Sequence, residues 1–142
     1  MAEVFAGFLC GYISALILTP LMALLLLRLR MSSALVARLL APGTSAVGLM
    51  VILHLGMVLF WTGAGSLLGL MLMTMNGGHP SRFLLSRNPA FSLFIFGLAV
   101  AALAPIVVSF AGSRGAAVVA GSLVVLLFGW LMPYLAAWSN FG

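Results

Sequence analysis

Charged side chains are almost absent from this sequence. Its 142 residues include a single acid, Glu3, and six arginines, and none of its cations is a lysine. Hydrophobic residues make up 65% of the chain, whereas roughly a quarter of the residues of a soluble domain are charged. This composition excludes an ordinary soluble domain and predicts an all-α integral membrane protein.

The shortage of acids also limits the chemistry that the chain can perform. Proton or cation coupling usually depends on an ionisable residue within a span, and Glu3 lies at the start of the first apolar segment. A serine nucleophile needs a base, and no carboxylate accompanies His54 or His79 to orient one. We therefore expect no enzyme activity and no ion-coupled transport.

Cysteine is equally scarce, because Cys10 is the only one in the chain. One cysteine excludes an internal disulfide and a cysteine metal cluster. Two histidines, one acid and one cysteine make a poor metal site unless another chain supplies ligands. The sequence predicts a small buried thiol at Cys10 and no metal bound within this chain.

The arginines lie at the ends of apolar segments, where they meet lipid headgroups and help to set orientation. The formal net charge of +5 is therefore interpreted as a membrane signature. A basic face with interleaved aromatic residues is missing, so no nucleic-acid partner is expected. The predicted headgroup contacts are made by Arg28, Arg30, Arg38, Arg82 and Arg87.

Long apolar runs separated by polar breaks predict one domain, residues 1–142, built as a bundle of four transmembrane helices. A helix crosses the hydrocarbon with about 20 residues, and each run is at least that long. The expected spans are residues 4–29, 45–75, 89–110 and 116–138.

Two features modify this simple bundle. Pro20 and Pro105 fall inside predicted spans and are candidate kinks. Between the first two spans, leucines and a valine recur at helical spacing among the arginines. This pattern fits either a short helix lying in the membrane interface or a solvated connecting helix.

The distribution of arginines predicts the orientation. The first and third loops carry Arg28, Arg30, Arg38 and Arg114, and the second loop carries Arg82 and Arg87. The positive-inside bias then places the first and third loops in the cytoplasm and both termini outside. Trp130, Tyr134 and Trp138 lie four residues apart, as in an interfacial aromatic belt. A lysine-free composition rich in glycine, alanine and leucine suggests a bacterial cytoplasmic membrane.

Small residues form the strongest positive pattern. In lipid no hydrophobic force draws helices together, so close backbone approach at small residues is a main source of association. Pairs of small residues four positions apart occur in three of the four spans. The predicted packing residues are Gly7, Gly11 and Ser14 in the first span, Gly65 and Gly69 in the second, and Ala117 and Gly121 in the fourth.

His54 lies on the small, polar face of the second span. At about 100° per residue, Gly65 and Gly69 fall within about 60° of it. One interpretation is a neutral imidazole that hydrogen-bonds a hydroxyl of a neighbouring helix, with Ser14 or Thr19 as partner. The other is an axial ligand to the iron of a haem or the magnesium of a chlorophyll, with Trp61 packing on the macrocycle.

These observations lead to three functional hypotheses. The first is a non-catalytic accessory subunit of a larger membrane complex, respiratory or photosynthetic for preference, in contact with lipids, pigment and other membrane subunits. The second is a small transporter or channel for a neutral or lipidic substrate, which would change shape at the two prolines. The third is a haem- or chlorophyll-binding subunit that depends on His54.

Overall fold

In the computed structural model, described residues are 1–32, 43, 45–75, 89–109 and 114–139. Every secondary-structure element in these ranges is helical, which confirms the all-α class. The helices are α1 (Ala2–Ser32), α2 (Ala46–Met75), α3 (Pro89–Ser109), α4 (Arg114–Leu126) and α5 (Met132–Ser139), with a π-helical segment, Leu127–Leu131, between the last two.

The four predicted spans correspond to α1, α2, α3 and the run from α4 through the π segment to α5. The segments Ala2–Arg28, Ala46–Met75 and Ala117–Trp138 are long and apolar enough to cross a membrane, judged by length and composition. In α3 the described apolar segment is shorter, Phe91–Ala102. The helix ends lie within a few residues of those predicted from the sequence.

Local sequence accounts for the start of α2. The hydroxyl oxygen of Ser45 accepts a hydrogen bond of 3.0 Å from the backbone N–H of Gly48. This bond satisfies one of the amide groups that a helix leaves unpaired in its first turn.

The helix α1 is the centre of the bundle, because it contacts every other helical element of the described chain. The helix α2 packs mainly against α1, and α3 packs mainly against α4. The fully buried core lies where these helices pack against one another. Its largest side chains are each at most 2% exposed; they are Trp61, Phe91, Phe128, Leu18, Leu68, Leu72, Ile95 and Met132.

The π-helical segment was not predicted. Its last turn closes with a hydrogen bond from the backbone N–H of Met132 to the carbonyl oxygen of Leu127. Pro133 follows directly, and a proline ring inside a helix collides with the carbonyl four residues earlier, here that of Gly129. A wider turn relieves this collision, so Pro133 was the signal available in the sequence.

Several sequence predictions lie outside the described residues. They are the connecting or interfacial helix after α1, His79, and the headgroup contacts of Arg38, Arg82 and Arg87. Arg30 and Arg114 lie in α1 and α4, and Pro105 lies in α3, with only their backbones described.

Candidate functional site

The helices α1 and α2 meet backbone against backbone at four glycines. A Cβ added to Gly7 would overlap the carbonyl oxygen of Gly65, and one added to Gly65 would overlap the carbonyl oxygen of Gly7. A Cβ on Gly11 would lie 2.7 Å from the carbonyl carbon of Trp61, and one on Gly69 would lie 2.6 Å from the Cα of Val4. No larger residue fits at these positions.

The contacts follow one antiparallel register. Glu3 faces Gly69, Gly7 faces Gly65, Gly11 faces Trp61, and Thr19 faces His54. At 1.5 Å per residue the two helices stay together over about 24 Å. Since each glycine directs a Cα hydrogen at a carbonyl oxygen, weak Cα–H···O contacts accompany the packing.

The other predicted packing residues lie elsewhere. Ser14 is fully buried, and its hydroxyl donates a 2.8 Å hydrogen bond to the carbonyl of Cys10 in its own helix. Cys10 is itself fully buried, as expected of a structural thiol. Ala117 and Gly121 are buried in α4 and line an open groove between α3 and α4.

This groove has a volume of about 540 Å³ and an apolar lining. Its floor is formed by small residues, and its rim by exposed side chains, with Phe96 69% and Val118 65% exposed. Among the described lining residues, Ser122 is the one with a polar side chain. The lining residues are Phe96, Ala99, Ala117, Val118, Gly121, Ser122, Val125 and Leu126.

At the other end of the α1–α2 contact, His54 meets Thr19. The distance between Nδ1 of His54 and Oγ1 of Thr19 is 3.2 Å. The Thr19 hydroxyl also lies 2.6 Å from the carbonyl oxygen of Ala15, to which it donates. Of the two hydroxyls considered as partners of His54, the structure therefore selects Thr19.

This pattern assigns the tautomer of the imidazole. The single hydroxyl proton of Thr19 is engaged by Ala15, so Oγ1 is the acceptor of the bond with His54. Nδ1 must then carry the proton, and in a neutral imidazole Nε2 presents a lone pair. His54 is half-buried, and no hydrogen bond to Nε2 is observed among the described residues.

Two methionines flank His54 on α2. Met50 precedes it by four residues and Met57 follows it by three, which places all three side chains on one face of the helix. Met50 is 46% exposed, and Met57 is half-buried against the core. The sequence shows this pattern as methionine, histidine and methionine at helical spacing, and the two methionines were not among the predicted site residues.

Trp61, which the sequence offered as a packing residue for a macrocycle, lies among aromatic side chains of the core. Its indole is 2% exposed and stacks on the ring of Phe128, with centroids 6.1 Å apart and an interplanar angle of 17°. The ring of Phe60 meets it edge-on at 5.4 Å. The indole is thus part of the core, between α2 and the π segment.

The residues predicted at the membrane surface are exposed where the structure describes them. Arg28 is exposed near the end of α1. Trp130, Tyr134 and Trp138 are 63%, 58% and 71% exposed, and the rings of the first two stack at 5.9 Å.

The described residues thus present three separate features: a glycine-packed helix pair, a histidine hydrogen-bonded to Thr19, and an open apolar groove between α3 and α4. No protein family model, curated protein or solved structure matches this chain.

Proposed function

We propose that the protein is a non-catalytic accessory subunit of a larger membrane complex, respiratory or photosynthetic for preference, in the cytoplasmic membrane of a bacterium. The observation that carries this proposal is the groove between α3 and α4. The glycine pairs of α1 and α2 pack against the neighbouring helix of this same chain. Ala117 and Gly121, in contrast, line an open groove.

A membrane location is supported by the three helices that are long and apolar enough to cross a bilayer. The exposed surface of α2 has the same character, with Ile52 67%, Leu59 74% and Leu67 59% exposed. In water, exposing such a surface would cost a free energy of about 25 cal/mol per Å² of apolar area. In a bilayer it meets acyl chains at no such cost.

The occupant that we propose for the groove is an apolar helix of another subunit. Association in lipid depends on van der Waals packing and on close backbone approach. A floor of Ala99, Ala117 and Gly121 permits that approach, and Phe96 and Val118 can pack on either side of the incoming helix. The hydroxyl of Ser122 is a polar group at the groove to which the partner helix can hydrogen-bond.

The test begins with extraction of the complex from its native membrane in a mild detergent, followed by native electrophoresis. The proposal expects migration well above the 14.9 kDa monomer with its detergent, together with a co-purifying partner in fixed ratio. Migration as the monomer alone would contradict it.

A site-specific cross-link then tests the groove itself. A photoreactive benzoylphenylalanine at Val118, which lines the groove, should cross-link to the co-purifying partner. Val119 is the matched control, because it is equally exposed at 65% but does not line the groove. Equal yields at the two positions, or cross-links to lipid alone, would overturn the assignment of the groove.

The transporter hypothesis predicts a different result. Liposomes that contain this protein alone should then take up a neutral or lipidic substrate, and an accessory subunit should show no such flux. The haem or chlorophyll hypothesis retains His54 as a ligand, but Trp61 stacks on Phe128. An absorption spectrum of the extracted complex, with His54→Ala for comparison, tests that hypothesis.

A further inference from the structure

We propose that Nε2 of His54 and the thioether sulfurs of Met50 and Met57 form a binding site for a soft monovalent metal ion, Cu(I). The proposal concerns α2 and not the groove between α3 and α4. It therefore stands or falls separately from the accessory-subunit function.

The hydrogen bond to Thr19 already fixes the ring of His54 in the way that a metal-binding histidine is fixed. Oγ1 of Thr19 accepts a hydrogen bond from Nδ1–H, with 3.2 Å between the nitrogen and the oxygen, while the Thr19 hydroxyl donates to the carbonyl oxygen of Ala15. Histidines that ligate metals almost always donate their other ring N–H to a hydrogen-bond acceptor, usually a carboxylate, a backbone carbonyl or a water, and this bond fixes the tautomer and the ring orientation. Here that partner comes from the neighbouring helix, and the lone pair of Nε2 remains for an electron-pair acceptor.

The two methionines lie where their sulfurs can meet the same acceptor. Residues three or four positions apart on a helix have Cβ atoms about 5–6 Å apart. At about 100° per residue, Met50 and Met57 both lie on the same side of His54, within about 60° of it. Each thioether has three rotatable bonds with which to reach an ion bound at the imidazole.

The three residues are also reachable. Met50 is 46% exposed, and Met57 and His54 are half-buried, in contrast with the fully buried Met132 in the core. His54 lies eight residues after Ala46, about 12 Å along the axis from the start of α2. An ion entering from that end crosses only part of the hydrocarbon.

The ligand set decides which ion fits. Thioether sulfur is a soft ligand that favours Cu(I), and imidazole nitrogen suits copper as well. All three ligands are neutral, so the bound site carries only the single positive charge of the ion. A low charge is favourable at a site surrounded by apolar side chains.

The experiment measures Cu(I) binding to the full-length protein in detergent. Cu(I) is kept reduced under anaerobic conditions and is supplied from a chromogenic chelator of known affinity. Ag(I), which has the same charge and no accessible redox chemistry, serves as a second probe. We expect one ion per chain, and X-ray absorption should show both sulfur and nitrogen neighbours of the bound copper.

Four variants identify the ligands. His54→Asn keeps an amide N–H in place of Nδ1–H, so it preserves the bond to Thr19 while removing Nε2, and it should abolish binding. Met50→Leu and Met57→Leu conserve volume and should each weaken it. Thr19→Val removes the hydroxyl that accepts from Nδ1–H while conserving the shape of the side chain, and it should weaken affinity by the roughly 10–100-fold that loss of such a partner costs.

Met71→Leu is the matched control, because Met71 lies on the same helix and is half-buried but is 17 residues from His54. It should bind the ion like the wild type. The proposal would be overturned if the wild type bound no stoichiometric Cu(I) or Ag(I), if His54→Asn bound with equal affinity, or if the bound copper had no sulfur neighbours. Haem uptake through His54 without Cu(I) binding would overturn it in favour of a tetrapyrrole site.

Discussion

Gly7 of α1 and Gly65 of α2 meet reciprocally, each occupying the space into which a Cβ on the other would point. At this point only hydrogen atoms on the glycine Cα atoms lie between the two backbones, so these hydrogens limit how closely the helix axes approach. Any added carbon must push the helices apart, because the atoms it would meet belong to the backbone and cannot rotate away.

Gly65→Ala should lower the free energy of unfolding by about 1–3 kcal/mol, the usual cost of overpacking a close contact. Gly63→Ala is the matched control on the same helix, because a Cβ there meets nothing within 4 Å. This control should leave stability unchanged or raise it by up to about 1 kcal/mol, since alanine favours the helix. Denaturation with SDS in mixed micelles, followed by circular dichroism, gives both values. Equal effects of the two substitutions would contradict the reciprocal contact.

The imidazole of His54 should be a pure Nδ1–H tautomer in the metal-free protein. Nitrogen-15 NMR distinguishes a protonated ring nitrogen from one with a free lone pair, and Nε2 should give the signal of the latter. Thr19→Val removes the acceptor at 3.2 Å and should allow the Nε2–H tautomer to be populated. Thr19→Ser retains the hydroxyl and should behave like the wild type. A wild-type spectrum dominated by Nε2–H would refute the assignment.

The stacked pair Trp61 and Phe128 should contribute strongly to stability. Phe128 is fully buried, and truncating a buried phenylalanine to alanine usually costs about 3–5 kcal/mol. Phe128→Ala should also reduce the near-ultraviolet circular dichroism of the packed indole. Phe94→Ala, at a position that is 53% exposed, should change neither property in detergent. A near-ultraviolet spectrum unaffected by Phe128→Ala would argue against the stack.

The two ends of the bundle should react from opposite sides of the membrane. Met31, 88% exposed, lies at the end of α1 that carries arginines, and exposed Thr74 lies at the far end of α2. The positive-inside bias predicts that Met31→Cys is labelled by a membrane-impermeant maleimide from the cytoplasmic side and Thr74→Cys from the other. Cys10 is fully buried and should not react, which makes the wild type the control. The reverse pattern of labelling would show that the protein has the opposite orientation in the membrane.

The sequence was sufficient for the all-helical class and for the approximate positions of the helices within the described ranges, because apolar runs and polar breaks indicate both directly. It could name the small faces of α1 and α2 but not their pairing. Which glycine meets which carbonyl depends on the register of the two helices, and no local pattern encodes it, because Gly7 and Gly65 are 58 residues apart along the chain. The same holds for Trp61, whose partner Phe128 lies on a distant helix.

The anchoring of His54 was partly accessible from sequence. Two hydroxyls, Ser14 and Thr19, were candidates for its partner, and choosing between them required the antiparallel register of α1 and α2. The hydroxyl of Ser14 donates a hydrogen bond to the carbonyl oxygen of Cys10, four residues earlier in the same helix, as serine in a helix often does. Only Thr19 remains level with His54.

The π-helical segment keeps one face of the last span directed at the bundle. The buried positions Val124, Phe128, Met132 and Ala136 recur every four residues. In a regular α-helix each such step would carry the face about 40° further round the axis. A turn closed by the bond from Met132 to Leu127 contains more residues and so rotates less per residue. The wide turn thus acts as a phase correction, through which a four-residue repeat keeps its buried side chains on the face that packs against the other helices.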